Sequence, residues 1–271
     1  MLDSVGVDAF RPEYDFLSTA SPEWGKIALL PWDEEVFGFP VADFELGPNP
    51  PQIRDLPLFI NALEDFSART KAQLISTHVQ GDDMSTIALI ERMGFSLVDF
   101  SLTASTSRFK TALTSSSGTA LREATAEDHP SICQIAGTGF QFGRYHTDPR
   151  FPRELANDRY VHWIRNALSG SNPNNFVFVL GPPGDVVGFM DAVICDGIAD
   201  LRLAAIDLQK STGFAGILLY ADSIRAVQER GAKSAIAKIA AANTPVMNIF
   251  SMLGFQFSSP QATFHWHAPT S

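Results

Sequence analysis

The stretch from Leu201 to Tyr220 most constrains the fold, because it runs from an apolar strand-like segment through a loop of small residues into a helix. Gly213, Ala215 and Gly216 stand where that helix begins. Small residues let the backbone approach a ligand closely, and the free N–H groups of a helix N-terminus attract anions. The stretch therefore predicts a strand–loop–helix unit that can cradle a phosphate. A tight turn that only packs the helix on a sheet is the alternative, because one glycine loop has little specificity.

The chain is long enough for two folded domains. It has 271 residues, of which 45% are hydrophobic and 21 are Phe, and this composition is typical of globular proteins. Its formal net charge of −10 opposes binding to nucleic acid or to anionic membranes. A local basic spot can still bind a small phosphate ligand, because charge attraction acts over a few ångströms.

The two cysteines, Cys133 and Cys195, are predicted to be buried free thiols in a reducing compartment. The sequence has no apolar run near the ~20 residues of a membrane span, and its first residues do not resemble a secretory signal. We therefore expect a cytoplasmic protein that does not bind membranes.

The segment from Thr111 to Gly118 has the small, polar composition of a flexible connector. We predict an N-terminal domain over residues 1–112, a linker over 113–118 and a C-terminal domain over 119–268. The predicted elements of the N-terminal half are a strand in the second part of Trp32 to Leu46, a helix from Leu58 to Thr70 and a strand from Ala72 to Val79.

The C-terminal half mixes helices and strands. Its predicted strands are 120–123, 176–180, 186–194, 199–206, 234–239, 255–257 and 263–267, and its predicted helices are one capped by Thr125, one over 153–168, one ending at Arg230 and one starting near Asn243. This order predicts a mixed α+β fold in three layers, with a central antiparallel sheet flanked by helices.

A faint internal repeat links the two halves. Ile87 to Phe95 and Met247 to Phe255 both run from a helix with apolar spacing into Gly-Phe. Any helix that packs on a sheet and is stopped by glycine gives such a pattern. The similar flanking strands favour a duplication.

Two motifs in the C-terminal half resemble those of the GNAT superfamily of N-acetyltransferases. Lys210 to Ala215 is similar to the family's pyrophosphate loop, Arg/Gln-x-x-Gly-x-Gly/Ala, with Lys in place of the first Arg or Gln. Asn243 to Phe255 is similar to the second signature, Asn-x-x-Ala-x-x-Leu-Tyr-x-x-x-Gly-Phe, with the same spacing from Asn243 to Gly254. The resemblance implies a C-terminal GNAT domain, preceded by a partial or degenerate GNAT-like domain.

The resemblance also implies a site for acetyl-CoA or another acyl-CoA as cosubstrate. The implied binding groups are the charge of Lys210, the loop N–H groups of Ser211, Thr212, Gly213, Phe214, Ala215 and Gly216, the strand backbone of Leu203, Ala204, Ala205 and Ile206, and the side chain of Asn243. These would hold the pyrophosphate, the pantetheine arm and the thioester carbonyl.

Phe250 departs from the family pattern, because the family often has a Tyr there that reprotonates the departing thiolate. General acid help is typically worth ~10²–10⁴ in rate, and a thiolate is already a tolerable leaving group. Activity can therefore survive with water or another donor. A non-catalytic protein that binds acyl-CoA, as a sensor or as a module that holds a partner, is the alternative.

A narrower likeness touches both halves. Trp32 to Pro40, Arg144 to Pro149, Tyr160 to Ile164 and Thr263 to His267 resemble segments of TDP-fucosamine acetyltransferases and their two-part relatives. The likeness implies acetyl transfer, by direct attack in a ternary complex, to the primary amine of a small molecule such as an amino sugar nucleotide. A homodimer is one option for the oligomeric state.

An amine must lose its proton before it attacks a thioester, so a base or a water relay is needed. Asp191 lies in the predicted strand 186–194 and could face the cleft, or it could point to solvent from the other face. His146 and Asp148 lie in the loop between the first two C-terminal helices, where this fold often builds acceptor pockets, and a turn or capping role is the alternative. Asp191 and His146 are the predicted catalytic residues.

His265 and His267 are expected on one face of the last strand, because side chains alternate along strands. A metal site needs a third ligand, and spacing indicates none, so we predict surface histidines and no metal. The cysteines lack the flanking residues of a catalytic nucleophile, and the chain lacks the glycine pattern of a dinucleotide-binding fold.

Overall fold

The computed structural model describes residues 15–16, 22–109, 121–211 and 214–269. The described residues form two compact units, and β-strand 5 contributes to both. Of the described residues, unit 1 contains 102–109, 121–142, 156–211 and 214–258, and unit 2 contains 15–16, 22–101, 143–155 and 259–269.

Unit 2 is built mainly from the N-terminal half. Its strands are β1 (Asp15–Phe16), β2 (Gly25–Leu29), β3 (Val41–Leu46), β4 (Leu74–Gln80), the first part of β5 (Ser96–Thr106) and β12 (Gln261–His267). Its helices are α1 (Pro31–Phe37), α2 (Leu56–Thr70), α3 (Met84–Arg92) and α5 (Arg144–Thr147), with a 3-10 turn at Ile53–Asp55.

The last strand of the chain lies inside the unit 2 sheet. The strand order is β1-β2-β3-β4-β12-β5, with β3 and β4 parallel and β12 antiparallel to both of its neighbours. Phe264 of β12 packs in a core with Phe44, Phe59 and Ile75. Because β12 is hydrogen-bonded on both edges, it is an integral part of this unit.

The N-terminal prediction missed a helix. The sequence analysis predicted only a strand within Trp32 to Leu46, and that strand is β3, but α1 precedes it. Pro31 stands in the first turn of α1, where a missing N–H costs nothing, and Gly38 ends the helix with a left-handed φ of 75°. The predicted helix 58–70 and strand 72–79 correspond to α2 and β4, with shifted boundaries.

Unit 1 carries the remaining elements. Its strands are the rest of β5, β6 (Leu121–Glu123), β7 (Asn175–Leu180), β8 (Gly188–Cys195), β9 (Ile198–Ile206), β10 (Ser234–Ala240) and β11 (Gln256–Phe257). Its helices are α4 (His129–Thr138), α6 (Arg153–Leu168, with its first residues grouped in unit 2), α7 (Ala215–Glu229) and α8 (Thr244–Met252).

The unit 1 sheet has the order β6-β7-β8-β9-β10-β5, with β11 paired to β5. β6 to β9 are antiparallel, and β9 and β10 are parallel. α7 and α8 pack on one face of the sheet, whereas α4 and α6 pack on the other. The predicted mixed three-layer fold is confirmed.

The two units repeat one pattern. In unit 2 the order is β3, α2, β4, α3 and β5, and in unit 1 it is β9, α7, β10, α8 and β11. Asp83 and Asn243 cap α3 and α8 in the same way, and Gly94 and Gly254 follow these helices with φ values of 91° and 86°. This correspondence favours the duplication.

The compact units differ from the domains predicted from sequence. Gly143–Leu155 and Ser259–His267 were expected in the C-terminal domain, but they group with the N-terminal residues. The predicted linker 113–118 lies outside the described residues. Cys133 and Cys195 are free, as expected, but they are half-buried. None of the described helices has the length and apolar composition of a membrane span.

Replacing Phe264 by Ala should destabilise unit 2 by ~3–5 kcal/mol, because it leaves a cavity in a fully buried core. Urea unfolding measures the loss. Leu58→Ala is the matched control, since Leu58 is 64% exposed, and it should change stability by less than ~0.5 kcal/mol. Equal effects of both substitutions would contradict the position of β12 in the core.

Candidate functional site

A gap opens between two parallel strands of unit 1. β9 and β10 pair at three positions, the last being Asp200 with Ile236. β9 continues to Ile206 and β10 to Ala240, and no further pairing joins these described stretches. The β9 edge that faces β10 therefore has backbone N–H and C=O groups beyond Asp200 that pair with no described strand, and such groups need partners.

A β-bulge accompanies this separation. Asp191 of β8 pairs with Leu203 of β9, but the next residue, Ala192, pairs with Leu201, so Arg202 is an extra residue in β9. A bulge bends its strand and increases the local twist. The bulge at Arg202 thus accounts for β9 turning away from β10 immediately after Asp200.

The four strand residues predicted to bind the cosubstrate border this gap. Leu203 and Ala205 pack in the core under α4 and α6, whereas Ala204 and Ile206 lie against the core under α7 and α8. Their backbone is hydrogen-bonded to β8 on one edge only. The other edge can accept an extended ligand in the way that a sheet accepts a further strand.

The first turn of α7 lies next to this strand. No side chain caps the helix, and no described group accepts a hydrogen bond from the N–H of Phe214, Ala215 or Gly216. A Cβ added at Gly216 would lie 3.7 Å from side-chain carbons of both Ile206 and Ile249. The helix start therefore offers free N–H groups beside the end of β9, which is an arrangement that suits an anion.

The rest of the predicted phosphate loop has mixed geometry. The N–H of Ser211 donates to the carbonyl of Asp207 at 2.8 Å, which closes a turn. Lys210 forms an exposed ion pair with Asp185, which raises the pKa of its ammonium group. Such a pair is worth only ~0–1 kcal/mol, so Lys210 can exchange it for a phosphate at little cost. Thr212 and Gly213 lie outside the described residues.

The predicted residues of α8 have structural contacts. The side chain of Asn243 accepts a hydrogen bond from the N–H of Val246 at 3.4 Å and caps the helix, and no described group accepts from its own amide N–H. Phe250 is almost fully buried, and Tyr220 of α7 packs edge-on against it with ring centroids 5.1 Å apart. Burial raises the pKa of the Tyr220 phenol.

Asp191 is the centre of a buried polar cluster on the opposite face of the sheet. Trp163 donates to Oδ2 at 3.3 Å, and Asn175 donates to Oδ1 at 2.6 Å. The guanidinium of Arg202 lies 3.0 Å from Oδ2. Burial raises the pKa of Asp191, and the charge of Arg202 opposes that shift. Because Asp191 has no solvent exposure, the alternative of a solvent-facing side chain is wrong.

A second carboxylate, Asp200, belongs to the same face. Its partner across β8 is Val193, two residues from Asp191, and cross-strand partners share a face. No described group forms a hydrogen bond with its side chain, although the residue is only 8% exposed. Burial raises its pKa to about 6, while the charge of Arg202 lowers it and that of Asp191 raises it further. Asp200 therefore lies at the closed end of the gap without a hydrogen bond from any described group, although the charge of Arg202 acts on it.

The structure does not gather the predicted catalytic residues in one unit. His146 lies in α5 of unit 2 and is partly buried, whereas Asp191 lies in unit 1. Sequence reasoning missed Asp200 and Arg202, although two charged residues within the apolar run from Ile198 to Ile206 were a visible signal. Trp163 and Asn175 could not be found, because their contact with Asp191 joins separate elements.

Comparisons with known proteins agree on the fold. A structure of a GCN5-related N-acetyltransferase from Sphaerobacter thermophilus superposes with a TM-score of 0.64 at 13% identity, covering 92% of this chain and 78% of that chain. One from Kribbella flavida gives 0.59 at 15% identity, covering 91% and 88%. A tandem GNAT protein from the clavulanic acid biosynthesis pathway gives 0.58 at 14%, covering 91% and 80%. The chain has the fold of the GCN5-related N-acetyltransferases.

Sequence comparison adds one relative outside these GNAT structures. The chain is 26% identical over 144 residues to the spore coat polysaccharide biosynthesis protein SpsD of Bacillus subtilis (strain 168). The match covers 52% of this chain and spans about half, 47%, of that relative. No family model matches the sequence. The tandem GNAT neighbour parallels the two repeated units of this GNAT fold.

The pKa of Asp200 predicts a specific pH dependence. Its folded-state pKa of about 6 lies above the ordinary 3.8, so folding binds a proton and stability falls as the pH rises through that window. Asp200→Asn mimics the protonated form. The difference in unfolding free energy between Asp200→Asn and the parent protein should therefore grow in favour of the variant from about pH 4 to about pH 7. The increase should be on the order of 1–3 kcal/mol.

Urea unfolding at the two pH values measures this gain. The control is Asp158→Asn, because Asp158 lies exposed on α6 and the same charge is removed. Its effect should not change between the two pH values. A pH-independent effect of Asp200→Asn would show that folding does not raise the pKa of Asp200.

Proposed function

We propose that the chain is an acyl-CoA-dependent N-acyltransferase that moves an acetyl group from acetyl-CoA to the primary amine of a small molecule. The observation that carries this proposal is the gap beside β9, which ends next to the uncapped start of α7. A free strand edge suits the amides of a pantetheine arm, and free helix N–H groups suit a pyrophosphate. The two features are adjacent, as one extended ligand with a charged end requires.

The residues present fit acetyl-CoA. The β9 edge from Leu203 to Ile206 would hold the pantetheine arm, and the N–H groups of Phe214, Ala215 and Gly216 would hold the pyrophosphate, with Lys210 adding charge. Asn243 has an amide N–H available for the arm. Acetyl-CoA supplies the activated acyl group. We place the reaction in the cytoplasm, because acyl-CoA is available there and because free thiols suit a reducing compartment.

Direct attack by the amine needs a proton acceptor near the gap. Asp200 fits this role better than Asp191, because the oxygens of Asp191 are already occupied by hydrogen-bond donors. A pKa of about 6 lets Asp200 be ionised at neutral pH and still accept a proton. Asp191 then acts on Asp200 through Arg202, by holding the guanidinium in place. His146 lies in unit 2, and its catalytic role stays a prediction.

The departing thiolate needs a proton donor in place of the absent phenol at Phe250. Tyr220 brings a phenol against Phe250 from α7, and no described group forms a hydrogen bond with its hydroxyl. A donor with a raised pKa stays protonated at neutral pH, so Tyr220 would reprotonate the thiolate.

The acceptor class rests on the relative. SpsD is described as a spore coat polysaccharide biosynthesis protein, and 26% identity over half of each chain makes a sugar-related acceptor the best choice. An amino sugar nucleotide supplies the primary amine that the reaction needs. The alternative function, binding of acyl-CoA without catalysis, is favoured by one observation, which is the buried Phe250.

Gly216→Glu should weaken the binding of CoA by at least ~10-fold, measured by titration calorimetry, because a carboxylate in the first turn of α7 repels the pyrophosphate. A carboxylate is acceptable at a helix N-terminus, so the fold should survive. Gly216→Ala is the control, because its Cβ makes ordinary contacts only. If the Glu variant binds CoA as well as the parent protein, the pyrophosphate does not lie at α7.

Acetyl transfer should release free thiol when the purified protein is mixed with acetyl-CoA and a panel of amino sugar nucleotides. Asp200→Asn should lower kcat by ~10² or more and leave CoA affinity within about twofold, because it removes the proton acceptor and not the binding site. Tight CoA binding without thiol release for any amine would favour the binding protein. Unchanged turnover in Asp200→Asn would exclude Asp200 as the base.

A further inference from the structure

Unit 2 contains a cluster of three metal-ligand side chains that the acyl transfer does not use. Asp148 lies in the segment Gly143–Leu155, and His265 and His267 lie on β12. One oxygen of Asp148, Oδ2, lies 2.7 Å from Nδ1 of His265 and 2.6 Å from Nε2 of His267. One ligand atom from each residue therefore points to the same small space, and the three atoms all lie within 4.8 Å of one another.

The sequence analysis expected surface histidines without a third ligand, and the structure corrects both points. His265 is fully buried, and Asp148 supplies the third group from a distant part of the sequence. The prediction that the two histidines share one face of β12 is confirmed, since both contact the same carboxylate oxygen. No spacing rule could find this cluster, since Asp148 lies 117 and 119 residues before the two histidines in the sequence.

We propose that Asp148, His265 and His267 bind a divalent first-row transition metal ion of the zinc type. Two imidazole nitrogens and one carboxylate oxygen form a ligand set that zinc takes in open sites, with a water molecule in the fourth position. Mg²⁺ and Ca²⁺ prefer all-oxygen sites, so two imidazoles argue against them.

The surrounding structure holds the ligands in place. The other oxygen of Asp148, Oδ1, accepts a hydrogen bond from the N–H of Arg150 at 2.9 Å, which leaves Oδ2 to face the histidines. On either side of Asp148, Tyr145 and Phe151 pack against Phe37, with ring centroids 5.0 and 4.8 Å away. Such outer contacts fix the orientation of metal ligands.

The cluster needs only a small rearrangement to accept a metal ion. Zinc bonds of ~2.0–2.2 Å in tetrahedral geometry put ligand atoms roughly 3.3 Å apart, so Oδ2 must move away from each nitrogen by less than about 1 Å. Nε2 of His265 is buried and has no hydrogen-bond partner among the described residues, so it is available to carry the proton that Nδ1 gives up when the metal ion binds. The side chain of His267 is 17% exposed and gives an ion access.

The positive charge of Arg144 does not prevent binding. The charge of Arg144 acts on His265, but the environment of Arg144 includes Asp33, which is 3.8 Å from its guanidinium, and also Asp43. These carboxylates balance Arg144, so Asp148 remains available to the ion. The competing explanation is that both imidazoles only donate hydrogen bonds to Asp148 and hold Gly143–Leu155 on β12.

Calorimetric titration of the chelator-treated, full-length protein with Zn²⁺ tests the proposal. One equivalent should bind per chain and raise the melting temperature, because a ligand that binds only the folded state stabilises it. His267→Gln should weaken binding by at least ~10-fold, since it removes a ligand that is not deeply buried. His129→Gln, which removes a histidine on α4 outside the cluster, should bind as the parent protein does.

The outcomes separate the two explanations. Saturable Zn²⁺ binding that is lost in His267→Gln and retained in His129→Gln supports the metal site. Absence of saturable binding, equal binding in both variants, or equal binding of Mg²⁺ overturns it. If His267→Gln proves unstable, Asp148→Asn is the second variant, because it keeps the shape and still accepts a hydrogen bond at Oδ1. The result does not depend on whether unit 1 transfers an acyl group.

Discussion

The separation of β9 from β10 after Asp200 is the constraint on which the functional interpretation depends. Two parallel strands of this length would normally pair throughout, because an unpaired backbone group that is buried costs free energy. The bulge at Arg202 prevents that pairing, so β9 exposes an edge in the middle of a sheet. An extended ligand can satisfy this edge, whereas packing of side chains alone cannot.

Unit 2 repeats the element order of unit 1, but its described strands lack such a gap. In unit 2, β2 and β3 pair without a shift in register, and β3 pairs with β4 up to Phe44, two residues from its end. α2 begins beside a closed turn, in which the carboxylate of Asp55 accepts the N–H of Gln52 at 3.0 Å. A carboxylate at this position repels a phosphate. Of the two units, we therefore assign the proposed acyl-CoA site to unit 1.

The local parts of the fold could be predicted from the sequence, and the non-local parts could not. The predicted helix 153–168 matches α6 residue for residue, and Gly170, with a φ of 71°, follows its end. In contrast, β12 follows the unit 1 elements along the chain and pairs with strands from the N-terminal half. Alternation showed that it is a strand, but alternation contains no information about its partner.

The same limit applies to the site. The small residues at 213–216 and the apolar run before them predicted where a phosphate could bind, since both signals are local. The protonation and hydrogen bonding of the acidic residues depend instead on contacts between separate elements, which local signals do not show. Asp191 looked like a base in an apolar strand, yet Trp163 and Asn175 come from α6 and β7 to occupy its oxygens.

Asp191 and Asp200 lie on one face of the sheet, and Arg202 is the arginine whose charge acts on both. We expect two carboxylates that share one arginine to differ in protonation. Arg202 forms an ion pair with Asp191, while Asp200 is buried and forms no described hydrogen bond. Charging both acids in this apolar place costs more than charging one, so Asp200 titrates at a higher pH than an ordinary aspartate. Different environments thus assign different roles to chemically identical groups. Asp191 fixes the arginine, and Asp200 is left as the group that can exchange a proton.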